Sequence, residues 1–270
     1  MHPVMTLLRK IHWKIRWRIL KSPFVIRSWH RGYRISVPLS GSAAQIYYRK
    51  YSEPEVAAWM SRHIRPGDRF IDVGAHVGEY SLIAASAAGP QGEVVALEPQ
   101  ADLCGFIERN FRDNRIPNSR VIHGALGDHC GSCRLFADEK TKGAVLDLAA
   151  GDAGIPMLDI PTLLGDEPWS GRVWMKLDAA GFELPCLIAG RESLLNHRVH
   201  LILKAYNSVE IANRFPDVKS SMPEILASMG YRCLVLHGNS IQPWTGKVHG
   251  YCDTVICLPP DSDLNPQAAS

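Results

Sequence analysis

The chain has 270 residues, 46% of them hydrophobic, which is enough for one sizeable core and does not require two domains. Its net charge of +3 conceals a segregation: residues 1–52 hold eleven Lys or Arg and no acid, so the remainder carries 19 basic against 27 acidic residues, a net of −8. No apolar run approaches the roughly 20 residues that span a bilayer, which excludes an integral helical membrane protein, and seven irregularly spaced cysteines in a chain of this size suit a reducing compartment.

Residues 1–36 set Trp13, Trp17 and Trp29 among the basic side chains. Leu7, Ile11, Ile15 and Ile19 sit four apart as on a helix face, while Ile11, Trp13, Ile15, Trp17 and Ile19 alternate as in a strand, so periodicity leaves both open. Such a segment suits the surface of an anionic membrane. It suits equally an acidic glycan, a nucleic acid or the acidic body of the chain itself. Charges interrupt every candidate apolar stretch of a cleavable signal. Residues 32–44 read as a short β-rich entry, and residues 54–64 as a helix capped by Ser52 and ended by Pro66-Gly67.

Residues 69–85 read as a buried strand, a glycine turn and the first turns of a helix. Phe70, Ile71 and Val73 suit a central parallel strand. Gly74 and Gly78 bracket a loop that turns sharply and approaches a ligand closely. Tyr80, Leu82, Ile83, Ala84 and Ala87 then form a helix face whose free N–H groups point to the strand's carboxyl end, where open α/β sheets bind ligands. A second strand pattern, residues 92–98, ends in Glu98, twenty residues after Gly78, placed to accept from both hydroxyls of a ribose. The loop lacks the G-x-G-x-x-G of a dinucleotide site, and Asp72 just before it would repel a pyrophosphate but suits the ammonium of an amino acid. S-adenosylmethionine has that amino acid, a ribose and no phosphate.

A helix over 102–114 follows, then a third strand over 120–125 and an Asp128 turn. Residues 137–155, rich in Gly, Ala and Asp, read as a loop beside the site, and Cys130-Gly-Ser-Cys133 as a turn between short strands, with no second C-x-x-C to complete a zinc site. Residues 172–178 are a fourth strand delivering Lys176 and Asp178 to the cleft. Asp178 there accepts from or deprotonates a substrate hydroxyl while Lys176 sets its charge state, or the two form a structural ion pair. A helix over 183–195, a strand over 199–203, a loop with Asn207 and Glu210, a helix over 222–229 and strands over 231–236 and 253–258 complete the domain, the last strand antiparallel. Residues 259–270 read as a disordered tail. The expected fold is a doubly wound, mostly parallel seven-stranded α/β sheet over 51–258, with 1–50 as a basic extension.

Asp72-Val-Gly-Ala-His-Val-Gly-Glu-Tyr-Ser-Leu82, Glu98-Pro99, Asn110 with Asn114, Ala125-Leu-Gly-Asp128 and Lys176-Leu-Asp-Ala-Ala-Gly-Phe-Glu183 resemble the successive motifs of the FkbM-type methyltransferases. The resemblance implies a class I fold, S-adenosylmethionine as cofactor and O-methylation of a sugar, glycolipid or natural product; the location expected from the cysteines is the cytoplasm, peripheral to the membrane where residues 1–36 contact it. It implies cofactor contacts from Asp72, Gly74, Ala75, His76, Gly78 and Glu98, an adenine contact from Asp128, and Lys176, Asp178 and Glu183 facing a small-molecule or glycan acceptor. No metal and no nucleic-acid partner are expected. A segment like Tyr51-Ser-Glu-Pro-Glu55 covers the cofactor cleft in that family, and residues 157–164 resemble its element before the fourth strand. Two acids of the family pattern are replaced, by Ala180 and Lys204, which leaves a pocket better suited to an anion. A catalytically weak, ligand-binding scaffold is the alternative reading.

Overall fold

The computed structural model describes residues 3–137, 144–147, 154–179, 181–206, 221–237, 240–249 and 252–266. Ala180, the loop with Asn207 and Glu210 and most of the 137–155 stretch lie outside the described residues.

The basic segment opens with α1 (Pro3–Ile15), which runs into a π-helical turn (Arg16–Leu20). It continues as an antiparallel hairpin of β1 (Phe24–His30) and β2 (Tyr33–Val37). Helix α2 (Gly41–Arg49) follows, capped by Ser40, so the β-rich entry expected to Ala44 stops at Val37. Residues 1–50, set apart by their charge, share a hydrophobic core with the domain: Trp13, Phe24, Trp29, Ile35, Val37 and Ile46 pack in one cluster with Val56, Trp59, Leu82 and Ile83. His30 lies between the Tyr51 hydroxyl at 2.8 Å and Ser86 Oγ at 2.9 Å.

Next come α3 (Pro54–His63), β3 (Arg69–Val73), α4 (Glu79–Ala88), β4 (Glu93–Glu98), α5 (Ala101–Asp113) and β5 (Ser119–His123). Ser52 does not cap α3. Glu53 occupies the cap position and Ser52 donates to Glu79 instead, because that buried carboxylate takes both its N–H and its hydroxyl. A small sheet is built from β6 (Ala125–Leu126), β7 (Gly131–Ala137), β8 (Ala144–Asp147) and β9 (Ile155–Leu158) in the order β6-β9-β7-β8, so four residues expected in a loop are a strand. Cys130 precedes β7 and Cys133 is buried within it.

The second half holds α6 (Ile160–Leu164), β10 (Val173–Leu177), α7 (Glu183–Ala189), α8 (Arg191–Asn196), β11 (His200–Tyr206), α9 (Met222–Ser228), β12 (Arg232–His237), β13 (Ser240–Pro243) and β14 (Cys252–Leu258). The helix expected over 183–195 is broken at Gly190, where a Cβ would collide with Ile160 of α6. The main sheet has the order β13-β12-β14-β11-β10-β3-β4-β5. Strands β11, β10, β3, β4 and β5 run parallel and β14 antiparallel, as expected of the doubly wound class; β13, an antiparallel edge, makes eight strands where seven were expected.

Strand residues alternate between two cores, as a two-residue period demands. Phe70, Val94, Ala96, Trp174 and Ile202 face α3, α4 and α5, whereas Ile71, Val73, Val95, Met175 and Leu201 face α6 to α9. Cys233 and Cys257 stand opposite each other on β12 and β14 and are joined as a disulfide, a departure from the free thiols that a reducing compartment would leave. The tail also departs from expectation over its described part. Arg172 pairs with Asp263 at 2.8 Å, His200 meets Ser262 at 3.0 Å and Leu264 is buried, so residues 259–266 are bound along the sheet's lower edge.

No helix among the described residues is long and apolar enough to cross a membrane.

Candidate active site

At the carboxyl end of β3 the backbone adopts positive φ at Gly74 (+68°), His76 (+55°) and Gly78 (+77°). Gly74 and Ala75 both donate to the Leu97 carbonyl, at 3.0 and 3.2 Å, tying the loop to the end of β4. A Cβ on Gly74 would run into the carbonyl oxygen of Asp178, so the loop and the end of β10 meet backbone to backbone, a closeness reserved for glycine. Gly78 opens α4, where a Cβ would press on Ile107 of α5 at 3.3 Å.

Glu98, at the end of β4, is held by two backbone donors: His76 N–H to Oε2 at 2.8 Å and Gln100 N–H to Oε1 at 3.0 Å. Burial outweighs these bonds and pushes its carboxyl up to about 7. Asp72 is fully buried; its Oδ2 accepts from Ser81 N–H (3.0 Å) and Oγ–H (2.6 Å), and burial holds its carboxyl above the ordinary range against the pull of Lys176. Its described partners are Ser81 in the first turn of α4 and Lys176 on β10. The His76 ring is pushed down to about 4 by burial and by Lys176.

Lys176, beside Asp72 in the β10·β3 register, is the cation at the centre. Its Nζ lies 3.3 Å from Asp178 Oδ2, 3.7 Å from Asp72 Oδ1, 3.4 Å from the Val73 carbonyl and 5.1 Å from the centre of the Tyr80 ring. Burial alone would lower its pKa, but Asp178 and Asp72 together raise it. Asp178 also accepts from the Tyr206 hydroxyl at 2.8 Å, and its side chain is 27% exposed. Burial would raise its carboxyl, yet Lys176, Lys204 and Tyr206 hold it below the usual range.

Glu183, read as facing the acceptor, is placed elsewhere. It is fully buried, its Oε1 accepts from Ala179 N–H at 2.7 Å, and burial together with Asp178 pushes it up to about 8. It props the backbone that carries Asp178. Asp128 stands exposed after β6, 2.7 Å from His129 Nδ1. Lys204 is not a free cation: it pairs with Glu53, whose carboxylate also accepts from Tyr80 and Thr254. Glu53 thus returns a carboxylate to the strand end where the family acid is missing.

Four participants escaped the sequence reading. Glu53 lies inside the segment read as the cleft cover, but nothing in the sequence ties it to Lys204, 151 positions away. Glu79 and Tyr80 are signalled only by their place in the first turn of α4, and Tyr206 by lying two residues beyond Lys204 on β11. Glu79, bound by Ser52, is also pushed up to about 7 by burial. A cleft of about 370 Å³ bounded by Arg172, His200 and Asp263 lies at the other end of the strands, away from the glycine loop, Glu98 and Asp178.

The donor set fits S-adenosylmethionine. Among the described residues Lys176 is engaged by Asp178 and Asp72 and Lys204 by Glu53, which leaves neither lysine for a phosphate. A sulfonium with an ammonium and one carboxylate suits such a site, whereas a pyrophosphate would add negative charge beside the ionised Asp178.

Residues 72–233, more than half of the chain, match the model of the methyltransferase FkbM domain. The chain is 28% identical over 105 residues to ribosomal RNA large subunit methyltransferase E of Vesicomyosocius okutanii, an overlap of 37% of this chain and 44% of that protein, so it spans less than half the length of that curated relative. Among solved structures it resembles precorrin-6y C5,15-methyltransferase of Geobacter metallireducens (17% identity, 77% of this chain and 89% of that one, TM-score 0.43). It also resembles methyltransferase FkbM of Methylobacillus flagellatus (17% identity, 81% and 55%, TM-score 0.42) and a SAM-dependent O-methyltransferase of Thermotoga maritima (12% identity, 93% and 83%, TM-score 0.42). With the match running from the acid before the glycine loop to the start of β12, the chain belongs to the FkbM domain family of S-adenosylmethionine-dependent methyltransferases.

Proposed function

We propose that the protein transfers a methyl group from S-adenosylmethionine to a hydroxyl oxygen of a small-molecule or glycan acceptor, a sugar, glycolipid or natural product. The observation that carries the reading is Asp178: an ionised, partly exposed carboxylate held by Lys176 and Tyr206 against the glycine loop. The bound cofactor supplies a methyl group on a sulfonium that departs as a neutral thioether. Gly74, Ala75, His76 and Gly78 would shape its cradle, Glu98 would take the ribose hydroxyls and Asp128 the adenine amino group. Asp178 accepts a hydrogen bond from the acceptor hydroxyl and orients it in line. Asp178 would also receive the hydroxyl proton, because a hydroxyl oxygen that gains a third substituent is far more acidic than a carboxylic acid, even one with a lowered pKa. Lys176 keeps Asp178 ionised, and Glu183 fixes the backbone that presents it. Cytoplasm is the compartment that supplies this cofactor.

The test is formation of S-adenosylhomocysteine when the chain is incubated with cofactor and fractionated glycan and lipid extracts. Asp178→Asn should lower turnover by about 10²–10⁴-fold, the usual worth of a proton acceptor, and weaken cofactor binding far less than that. No product with any fraction, or undiminished turnover in the variant, sinks the reading.

A further inference from the structure

Helix α1 buries one side and leaves the other bare. On the inner side Trp13 stacks on Phe24 with ring centres 5.3 Å apart, His12 Nδ1 meets the Tyr47 hydroxyl at 2.7 Å, and Arg16 lies over the Phe24 ring. On the outer side Leu8 is 54%, Ile11 47% and Ile15 47% exposed, and Ile19 on the π-helical turn is 71% exposed. Ile11, Ile15 and Ile19 are four apart and Leu8 three before them, so the four form one stripe. Lys10, Lys14 and Arg18, also four apart and all exposed, run beside it one position earlier. Trp17, at the end of the helix, is 38% exposed.

We propose that this face lies on an anionic lipid bilayer, the aliphatic stripe in the boundary of the acyl chains and the cationic row at the level of the phosphates. The proposal is independent of the catalytic reading. Two features choose the occupant. A polyanion such as RNA or an acidic glycan would engage Lys10, Lys14 and Arg18 and leave Leu8, Ile11, Ile15 and Ile19 in water. A second copy of the chain packed antiparallel through the stripe would set one cationic row beside the other, and no acid among residues 1–52 is there to offset them. An anionic bilayer offers both an apolar phase and negative charge at the spacing of one helix radius. Charge segregation works in the same direction: with no acid among residues 1–52 and a net of −8 elsewhere, only the arm approaches such a surface favourably.

The experiment is flotation of the full chain with vesicles of phosphatidylcholine alone and of phosphatidylcholine with phosphatidylglycerol. The chain should float with the anionic vesicles only. Ile11→Asp with Ile15→Asp should abolish flotation, and Lys10→Glu, Lys14→Glu and Arg18→Glu together should weaken partitioning on the order of a hundredfold. These positions are solvent-exposed, and an unchanged thermal melt certifies each variant as folded. Should a variant not fold, quenching of Trp17 fluorescence in the unmodified chain by brominated phosphatidylglycerol reads the same contact. The proposal is overturned by absence of flotation and quenching, by flotation indifferent to the aspartates, or by a dimer in sedimentation that Ile15→Asp splits.

Discussion

Glu98 illustrates how much one residue's surroundings decide. Its carboxyl sits near 7 because burial works against two N–H bonds, so close to neutrality it is about half protonated in the ligand-free protein. Ribose hydroxyls donating to it favour the ionised form, so binding of S-adenosylmethionine at pH 7 should release a proton in part. Calorimetric heats measured in phosphate and in Tris should differ accordingly, and Glu98→Gln should remove the difference. Equal heats for the unaltered protein would mean that Glu98 is already ionised or is not the ribose partner. At this scale the sequence discloses Glu98, Gly74 and Gly78, because strand, turn and acid recur at a fixed interval. It does not disclose that Asp72 is consumed by Ser81 and Lys176, or that Glu183 turns inward to Ala179. Those outcomes depend on which oxygen finds an N–H in the folded chain.

Among elements, the hairpin β1–β2 depends on α5. Asn110, fully buried, accepts from Ser36 N–H at 2.7 Å and donates to the Ser36 carbonyl at 3.1 Å and to the Val77 carbonyl at 2.9 Å. One turn later Asn114 accepts from Arg34 N–H at 2.8 Å and donates to its carbonyl at 2.7 Å. Two asparagine amides thus act as a short mock strand along the edge of β2. Asn110→Ala strands buried backbone groups and should cost on the order of 2–4 kcal/mol in denaturant unfolding, while the more exposed Asn114→Ala should cost about 1 kcal/mol. Equal costs would mean that burial does not govern this edge. The parallel strands were legible because Phe70, Val73, Val94, Trp174 and Leu201 leave no polar alternation until the strand ends. The polar members that do appear, Asp72, Glu98, Lys176 and Lys204, fall on one face by parity. The break at Gly190 was not legible, since only Ile160, thirty residues upstream, forbids a side chain there.

For the molecule as a whole, buried carboxyls set the response to pH. Glu183 at about 8 and Glu79 and Glu98 at about 7 bind protons in the folded chain that the unfolded chain has released above about 4.5. Stability therefore falls as pH rises through that window. His30, His76 and His200, pushed to about 4 by burial, act in the opposite sense only below 6.5. The fall is unopposed by them from about 6.5 to 8, so the melting temperature of the ligand-free protein should drop across that range and Glu183→Gln should flatten the drop. A constant melting temperature would mean that the three groups do not titrate there. The packing of residues 259–266 and of the basic arm is also a property of this scale, invisible in local composition because Arg172 and Asn110 reach them from far along the chain. The same long reach constrains how the sequence can change. Lys204 and Glu53 meet across 151 residues, together with Thr254 and Tyr80. Placing an acid at 204 would set two carboxylates against each other while leaving Glu53 without its cation. Each of the two is the condition under which the other is tolerated, so a substitution at either position should be accepted only together with one at its partner.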